Sequence, residues 1–93
     1  MKASILLIED NETTRMTITA YLEAKGYRML LAHTGNAGIA QARAMHPSLI
    51  LMDIQLPEMD GLEAIQRIRN EQSGSYIPIV ALTALAMPGD RER

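Results

Sequence analysis

Short apolar runs alternate along the chain with longer segments in which apolar residues recur at helical spacing. Each run is too short for a helix and ends at polar or turn residues, which predicts buried strands. The predicted strands are 4–8, 28–32, 49–53 and 77–82. The segments after the first three strands predict helices at 12–25, 36–45 and from 61 onwards, and 87–93 is typical of the start of a fourth helix. Apolar strands joined by helical crossovers predict an α/β fold with a doubly wound parallel sheet.

The apolar positions of each predicted helix indicate which face packs on the sheet. The first helix, capped by Asp10 or Asn11, has a candidate inward stripe at Thr14, Ile18, Tyr21, Leu22 and Lys25. In the second helix the inward residues are Ile39 and Ala42. In the third they are Leu62, Ile65 and Ile68, with Glu63, Arg67 and Arg69 on the solvent side.

Composition excludes several functional classes. The 93 residues are enough for one domain spanning 1–93. A net charge of −2 favours neither nucleic acid nor an acidic membrane surface as a partner. The absence of cysteine excludes disulfide and thiolate chemistry. No apolar stretch is long enough to span a membrane, and the first residues lack the layout of a signal peptide, so a cytoplasmic protein is expected.

Polar residues follow three of the predicted strands at their carboxyl ends. Glu9 and Asp10 follow the first strand, Asp53 ends the third, and Thr83 follows the fourth. In a parallel sheet these ends share one edge, which is where open α/β sheets place their chemistry. Crowded carboxylates repel one another, and Mg²⁺ is the hard cation that suits such a site. Asp53 could then act as a nucleophile toward a phosphoryl group, with the Thr83 hydroxyl donating to a phosphoryl oxygen. Taken singly, each residue is better explained as an ordinary cap or turn residue, and only their combination at matching strand ends favours a functional site.

Three motifs identify a resemblance to a known family. They are ILLIEDN at 5–11, MDIQLPEMDG at 52–61 and VALTA at 80–84. With these motifs the sequence resembles the receiver domain of bacterial two-component response regulators and hybrid sensor kinases. The resemblance implies a flavodoxin-like fold and a role in a phosphorelay, with no catalysis on any other substrate.

The resemblance also implies a role for individual residues. Asp53 would accept a phosphoryl group from a histidine kinase or a histidine phosphotransfer domain. Glu9 and Asp10 would hold Mg²⁺ together with Asp53, and the backbone carbonyl of Gln55 would be a further ligand. Thr83 would be the switch hydroxyl that follows the phosphoryl group.

The sequence departs from the family pattern beyond the fourth strand. A full receiver continues to a fifth strand (β5), a fifth helix (α5) and a lysine that contacts the phosphoryl group. The only lysines here are Lys2 and Lys25, and neither matches that position. The expected strand order is therefore 2-1-3-4, lacking β5 and α5. A bare fourth strand predicts self-association, as a homodimer or otherwise, through that edge.

Other functions on the same fold stay open as alternatives. One is an interaction or dimerisation module that is not phosphorylated, which the missing lysine favours. A flavodoxin needs hydroxyl and amide groups after the first strand, where Glu9 and Asp10 would repel a phosphate. A phosphatase of the haloacid-dehalogenase type would need an aspartate at position 55, which is Gln55.

Overall fold

The computed structural model describes residues 3–53, 61–71 and 77–82. These residues form four strands and three helices that alternate along the chain. The elements are β1 (Ser4–Ile8), α1 (Glu12–Ala24), β2 (Arg28–Ala32), α2 (Gly35–Met45), β3 (Leu49–Asp53), α3 (Gly61–Glu71) and β4 (Ile79–Leu82). The predicted start of a fourth helix at 87–93 lies outside the described residues.

The four strands form one parallel sheet in the order β2-β1-β3-β4. This confirms the predicted fold and strand order. The chain steps outward from β1 to β2 and then returns past β1 to β3 and β4. Because strand crossovers are right-handed, the change of direction places α1 on one face and α2 and α3 on the other. The reversal occurs between β1 and β3, which is where doubly wound folds bind ligands.

The hydrophobic core lies between the sheet and the pair α2 and α3. Its residues on β1 and β3 alternate because successive side chains of a strand point to opposite faces. On the other face of β1, Ile5 and Leu7 are buried as well. The core members are Leu6, Ile8, Ala32, Ile39, Ala42, Ile50, Met52, Ala64, Ile68 and Ile77. The predicted inward positions of α2 are confirmed by Ile39 and Ala42.

One glycine allows α2 to lie unusually close to the sheet. A Cβ atom at Gly38 would come 2.7 Å from Cγ1 of Ile8, which is closer than carbon atoms approach without displacement. Gly38 is buried in the middle of α2, where glycine is otherwise unfavourable for a helix. The close approach of helix and strand therefore requires glycine at this position.

The predicted inward face of α1 was partly wrong. Tyr21 is 62% exposed, and its ring contacts the Lys25 ammonium at 5.3 Å on the outside of the helix. Arg15 is buried instead, one turn before the half-buried Thr19 and two turns before Leu22. The apolar pattern missed this face because two of its members are polar.

Three details of α3 and β4 also differ from the prediction. Leu62 is 60% exposed, and the buried positions of α3 are Gly61, Ala64 and Ile68. Arg69 is half-buried rather than solvated, and its Nη1 donates to the carbonyl of Ile77 at 2.6 Å. β4 begins at residue 79, two residues later than predicted.

Among the described residues, none of the helices has both the length and the apolar character needed to cross a bilayer.

Candidate metal centre

Two neighbouring strands bring three carboxylates together at the carboxyl edge of the sheet. Ile8 of β1 is paired with Met52 of β3, so the residues that follow them, Glu9 and Asp53, are adjacent across the two strands. Oxygen atoms of the Glu9, Asp10 and Asp53 carboxylates all lie within 4.8 Å of one another. We call these three residues the acidic cluster.

The acidic cluster extends from the interior to the surface. Glu9 is only 6% exposed, Asp53 is half-buried and Asp10 is exposed. A ligand held by the cluster would therefore contact the protein on one side and solvent on the other. This arrangement suits an ion that keeps part of its water shell.

The surroundings of Glu9 raise the pKa of its carboxyl group. Burial raises the pKa of the Glu9 carboxyl, and the charges of Asp53 and Asp10 raise it further. The hydrogen bond that its Oε2 accepts from the backbone N–H of Asn11, at 3.1 Å, lowers this pKa in part. The pKa of Glu9 is therefore raised overall, with burial as the largest cause.

The turn between β1 and α1 is built around Asn11. Its Oδ1 accepts a hydrogen bond from the backbone N–H of Thr14 at 2.9 Å, so Asn11 rather than Asp10 is the N-cap of α1. The Asn11 N–H donates to the Glu9 carboxylate. One residue therefore both begins the helix and orients a member of the acidic cluster.

A buried arginine close to the cluster was missed in the sequence. Arg15 is 9% exposed, and its Nη1 donates a hydrogen bond of 2.8 Å to the backbone carbonyl of Glu9. The spacing held a signal, since residues 15, 18 and 22 share one helical face. A charged residue on that face has to be buried with a partner.

Two of the expected site residues lie outside the described residues. They are Gln55, whose carbonyl the resemblance assigns to Mg²⁺, and Thr83, which it assigns to the switch. Both assignments stay predictions.

The donor set of the acidic cluster fits a magnesium ion. Mg²⁺ prefers oxygen ligands and is usually bound by one or two carboxylates together with waters. Three carboxylates within 4.8 Å offer such ligands. A divalent cation at this point would also relieve the repulsion that raises the pKa of Glu9.

The sequence matches known proteins over its whole length. The model of the family described as the response regulator receiver domain matches residues 5–93. The chain is 42% identical, over 93 residues, to the polar-differentiation response regulator DivK of Brucella ovis. That alignment covers 100% of this chain and 76% of the relative.

Solved structures show the same fold. The receiver domain of the sensor histidine kinase PA1611 from Pseudomonas aeruginosa superimposes with a TM-score of 0.85 and is 41% identical, covering 100% of this chain and 76% of that one. That crystal structure has a magnesium ion coordinated in the active-site cleft. The chemotaxis protein CheY4 of Vibrio cholerae gives a TM-score of 0.85 at 26% identity, covering 97% of this chain and 75% of that one. The chain with this acidic cluster therefore belongs to the family of response regulator receiver domains of two-component signalling.

Proposed function

We propose that this receiver domain is a phosphoacceptor that takes a phosphoryl group onto Asp53. The donor would be a phosphohistidine on a histidine kinase or a histidine phosphotransfer domain. The observation that carries the proposal is the position of Asp53, half-buried at the end of β3 and within 4.8 Å of the Glu9 and Asp10 carboxylates.

The transfer exchanges one phosphorus bond for another. A carboxylate oxygen of Asp53 attacks the phosphorus atom, and an acyl phosphate forms as the phosphorus–nitrogen bond breaks. The electron pair of that bond returns to the imidazole of the donor histidine. Carboxylates serve as nucleophiles of this kind in other phosphoryl transfers. The domain acts on its own side chain and on no other substrate.

Glu9, Asp10 and Asp53 would hold Mg²⁺, with the carbonyl of Gln55 as a further ligand. When bound, the ion supplies positive charge that offsets the negative charge of a phosphoryl group beside the carboxylates. By the resemblance, the Thr83 hydroxyl would be the switch group that responds when Asp53 is phosphorylated.

Intact-mass measurement tests the proposal. The chain is incubated with Mg²⁺ and a small phosphodonor, or with a phosphorylated histidine kinase, and one added phosphoryl group is expected. The matched control is Asp53→Asn, which keeps the size of the side chain and removes the nucleophile. Incubation with EDTA should also abolish the added mass.

The opposite result would favour the alternative of an interaction module that is not phosphorylated. It would consist of a folded chain that binds Mg²⁺ but gains no mass with either donor. A gain in mass that survives Asp53→Asn would instead place the phosphoryl group on another residue.

We also propose that the chain associates with a second copy through β4. Within the described residues β4 is the end strand of the sheet, paired only with β3. Its Val80 side chain is 48% exposed, and Pro78 and Ala81 are exposed beside it. Apolar edge strands pair readily with other strands.

Sedimentation velocity tests the association. We expect a dimer at micromolar concentration, and Val80→Lys should restore the monomer because a charge on an edge strand opposes pairing. Met16→Lys is the matched control, since Met16 is an exposed apolar residue on α1. A monodisperse monomer for the unmodified chain would contradict the proposal.

Finally, we propose that residues 1–93 belong to one receiver domain and that it acts in the cytoplasm. We propose neither nucleic acid nor membrane as a partner, and the net charge of −2 favours neither.

A further inference from the structure

Arg15 is the most deeply buried cation among the described residues, and the proposed phosphotransfer does not use it. Its side chain lies on the sheet side of α1, in the first turns of the helix, and is 9% exposed. A buried guanidinium is costly unless it is hydrogen-bonded. Its Nη1 donates to the backbone carbonyl of Glu9, six residues earlier, at 2.8 Å.

From this contact we infer that Arg15 is a positioning residue for the metal centre, which fixes the peptide group between Glu9 and Asp10. The inference rests on the proposed binding of Mg²⁺ to the acidic cluster. Arg15 itself acts on the backbone and contacts neither the ion nor the phosphoryl group.

The planarity of the peptide bond transmits this effect. The carbonyl of Glu9 and the N–H and Cα of Asp10 belong to one rigid plane. A hydrogen bond that fixes the carbonyl therefore also fixes the Asp10 Cα atom. The exposed Asp10 side chain extends from that atom, so the position of its carboxylate is restricted as well. Two of the three members of the acidic cluster are held through one peptide group.

The backbone N–H, the carboxylate and the carbonyl of Glu9 each form a hydrogen bond, and the bond to the carbonyl comes from Arg15. The Glu9 N–H donates to the carbonyl of Ala32 in β2 at 3.1 Å, and the Glu9 carboxylate accepts from the N–H of Asn11 at 3.1 Å. The Glu9 carbonyl is held by Arg15. The N–H of Arg15 in turn donates to the carbonyl of Asn11 at 2.9 Å, so the residue is fixed to the same turn at both ends.

The choice of arginine suits this role. Its charged N–H groups form hydrogen bonds stronger than those of neutral donors. Because the bond goes to a carbonyl, the guanidinium orients the turn without occupying a carboxylate oxygen that the ion would need. A lysine could reach the carbonyl as a point charge but would lose the planar geometry of the guanidinium.

The test is a titration of the isotope-labelled chain with Mg²⁺ alone, monitored by NMR. We expect Arg15→Met to weaken Mg²⁺ binding about tenfold, as is typical when a group that supports metal ligands is removed. The carbonyl carbon resonance of Glu9 should move upfield, because that carbonyl loses its hydrogen bond. Arg15→Lys should restore part of the affinity.

The matched control is Arg67→Met, which removes the same charge from an exposed ion pair with Glu63 on α3. Its Mg²⁺ affinity should stay within about twofold of the unmodified chain, since exposed pairs contribute little. If Arg15→Met does not fold, Arg15→Lys carries the test, since it keeps the charge and most of the stem.

The results separate two failures. Unmodified chain that binds Mg²⁺, with Arg15→Met binding it equally well, overturns the positioning role and leaves the proposed function standing. If only Arg15→Lys folds, a shifted Glu9 carbonyl resonance with unchanged Mg²⁺ affinity overturns the role in the same way. Unmodified chain that binds no Mg²⁺ overturns the proposed metal centre, and the positioning role with it. An unmoved Glu9 carbonyl resonance in Arg15→Met would also overturn the role of Arg15.

Discussion

The two faces of the sheet differ in how they are closed, although the same strands form both. On the face covered by α2 and α3, Ile50 is fully buried, whereas the next residue, Leu51, points to the α1 face and is only half-buried. Val80, which is paired with Leu51 in the sheet, is exposed. The α1 face is closed over β1, where Ile5 and Leu7 are 3% and 0% exposed, but is more open over β3 and β4.

The α1 face also contains buried polar groups. Its helix buries Arg15, and the Oγ1 atom of Thr19 is buried with no hydrogen-bond partner among the described residues. Arg15 connects this face to the acidic cluster. Most of the buried apolar residues therefore lie on the α2 and α3 face, whereas the α1 face holds the arginine that contacts the Glu9 carbonyl.

Truncation of two adjacent apolar residues on β3, one buried and one half-buried, should give the largest contrast. We expect Ile50→Ala to lower the free energy of unfolding by about 2–5 kcal/mol, because a cavity forms in a closed core. Leu51→Ala should lower it by about 1 kcal/mol, because its site is already open to solvent. Urea denaturation measures both, and equal losses would mean that the two faces are equally closed.

The close approach of α2 to the sheet can be tested at Gly38. Gly38→Ala should destabilise the domain by about 1–3 kcal/mol, because the new methyl group overlaps the Ile8 side chain. Ile8→Val removes the Cδ1 atom that lies nearest to that methyl group. In a double-mutant cycle, Ile8→Val should therefore reduce the cost of Gly38→Ala. Additive losses would show that the overlap is relieved in another way.

The buried hydroxyl of α1 predicts a stabilising change. Thr19→Val replaces the buried Oγ1 atom with a methyl group and should raise the free energy of unfolding by about 1 kcal/mol. Thr17→Val, at an exposed position on the same helix, is the control and should change stability by a few tenths of a kcal/mol at most. A loss of stability in Thr19→Val would indicate that the hydroxyl has a partner.

The acidic cluster predicts a smaller effect that depends on pH. Because the pKa of Glu9 is raised in the folded state, the folded chain binds this proton more tightly than the unfolded chain does. Stability from this group is therefore largest below the ordinary glutamate range and declines as the pH rises through that range to the raised pKa. Glu9→Gln should remove this decline.

Urea denaturation in EDTA across that range, compared between the unmodified chain and Glu9→Gln, measures the effect. At neutral pH without metal, Glu9→Gln should be the more stable protein, and with Mg²⁺ it should bind the ion more weakly. Glu23→Gln, at an exposed position of α1, is the control. The same pH dependence in both chains would contradict a raised pKa at Glu9.

Several features of the fold could be predicted because they depend on local spacing. The strands β1, β2 and β3 were predicted with the bounds that the structure shows, and α2 was predicted to within one residue at its start. Leu62 and Tyr21 were misplaced, since spacing alone does not say which of several apolar residues a neighbouring segment covers. Helix propensity and the spacing of apolar residues predict where a helix forms. Which of its faces is buried depends on the segments that pack against it.

The sequence by itself determined the alternation of elements, the parallel sheet and the residues that approach one another at its carboxyl edge. Period, turn residues and the handedness of crossovers are properties of short segments, and together they allow few topologies. Only the tertiary structure decided that Glu9 is buried while Asp10 is exposed, and that Arg15 reaches back to the Glu9 carbonyl. Burial and hydrogen bonding between separate elements depend on how those elements pack, which the spacing within any one of them does not specify.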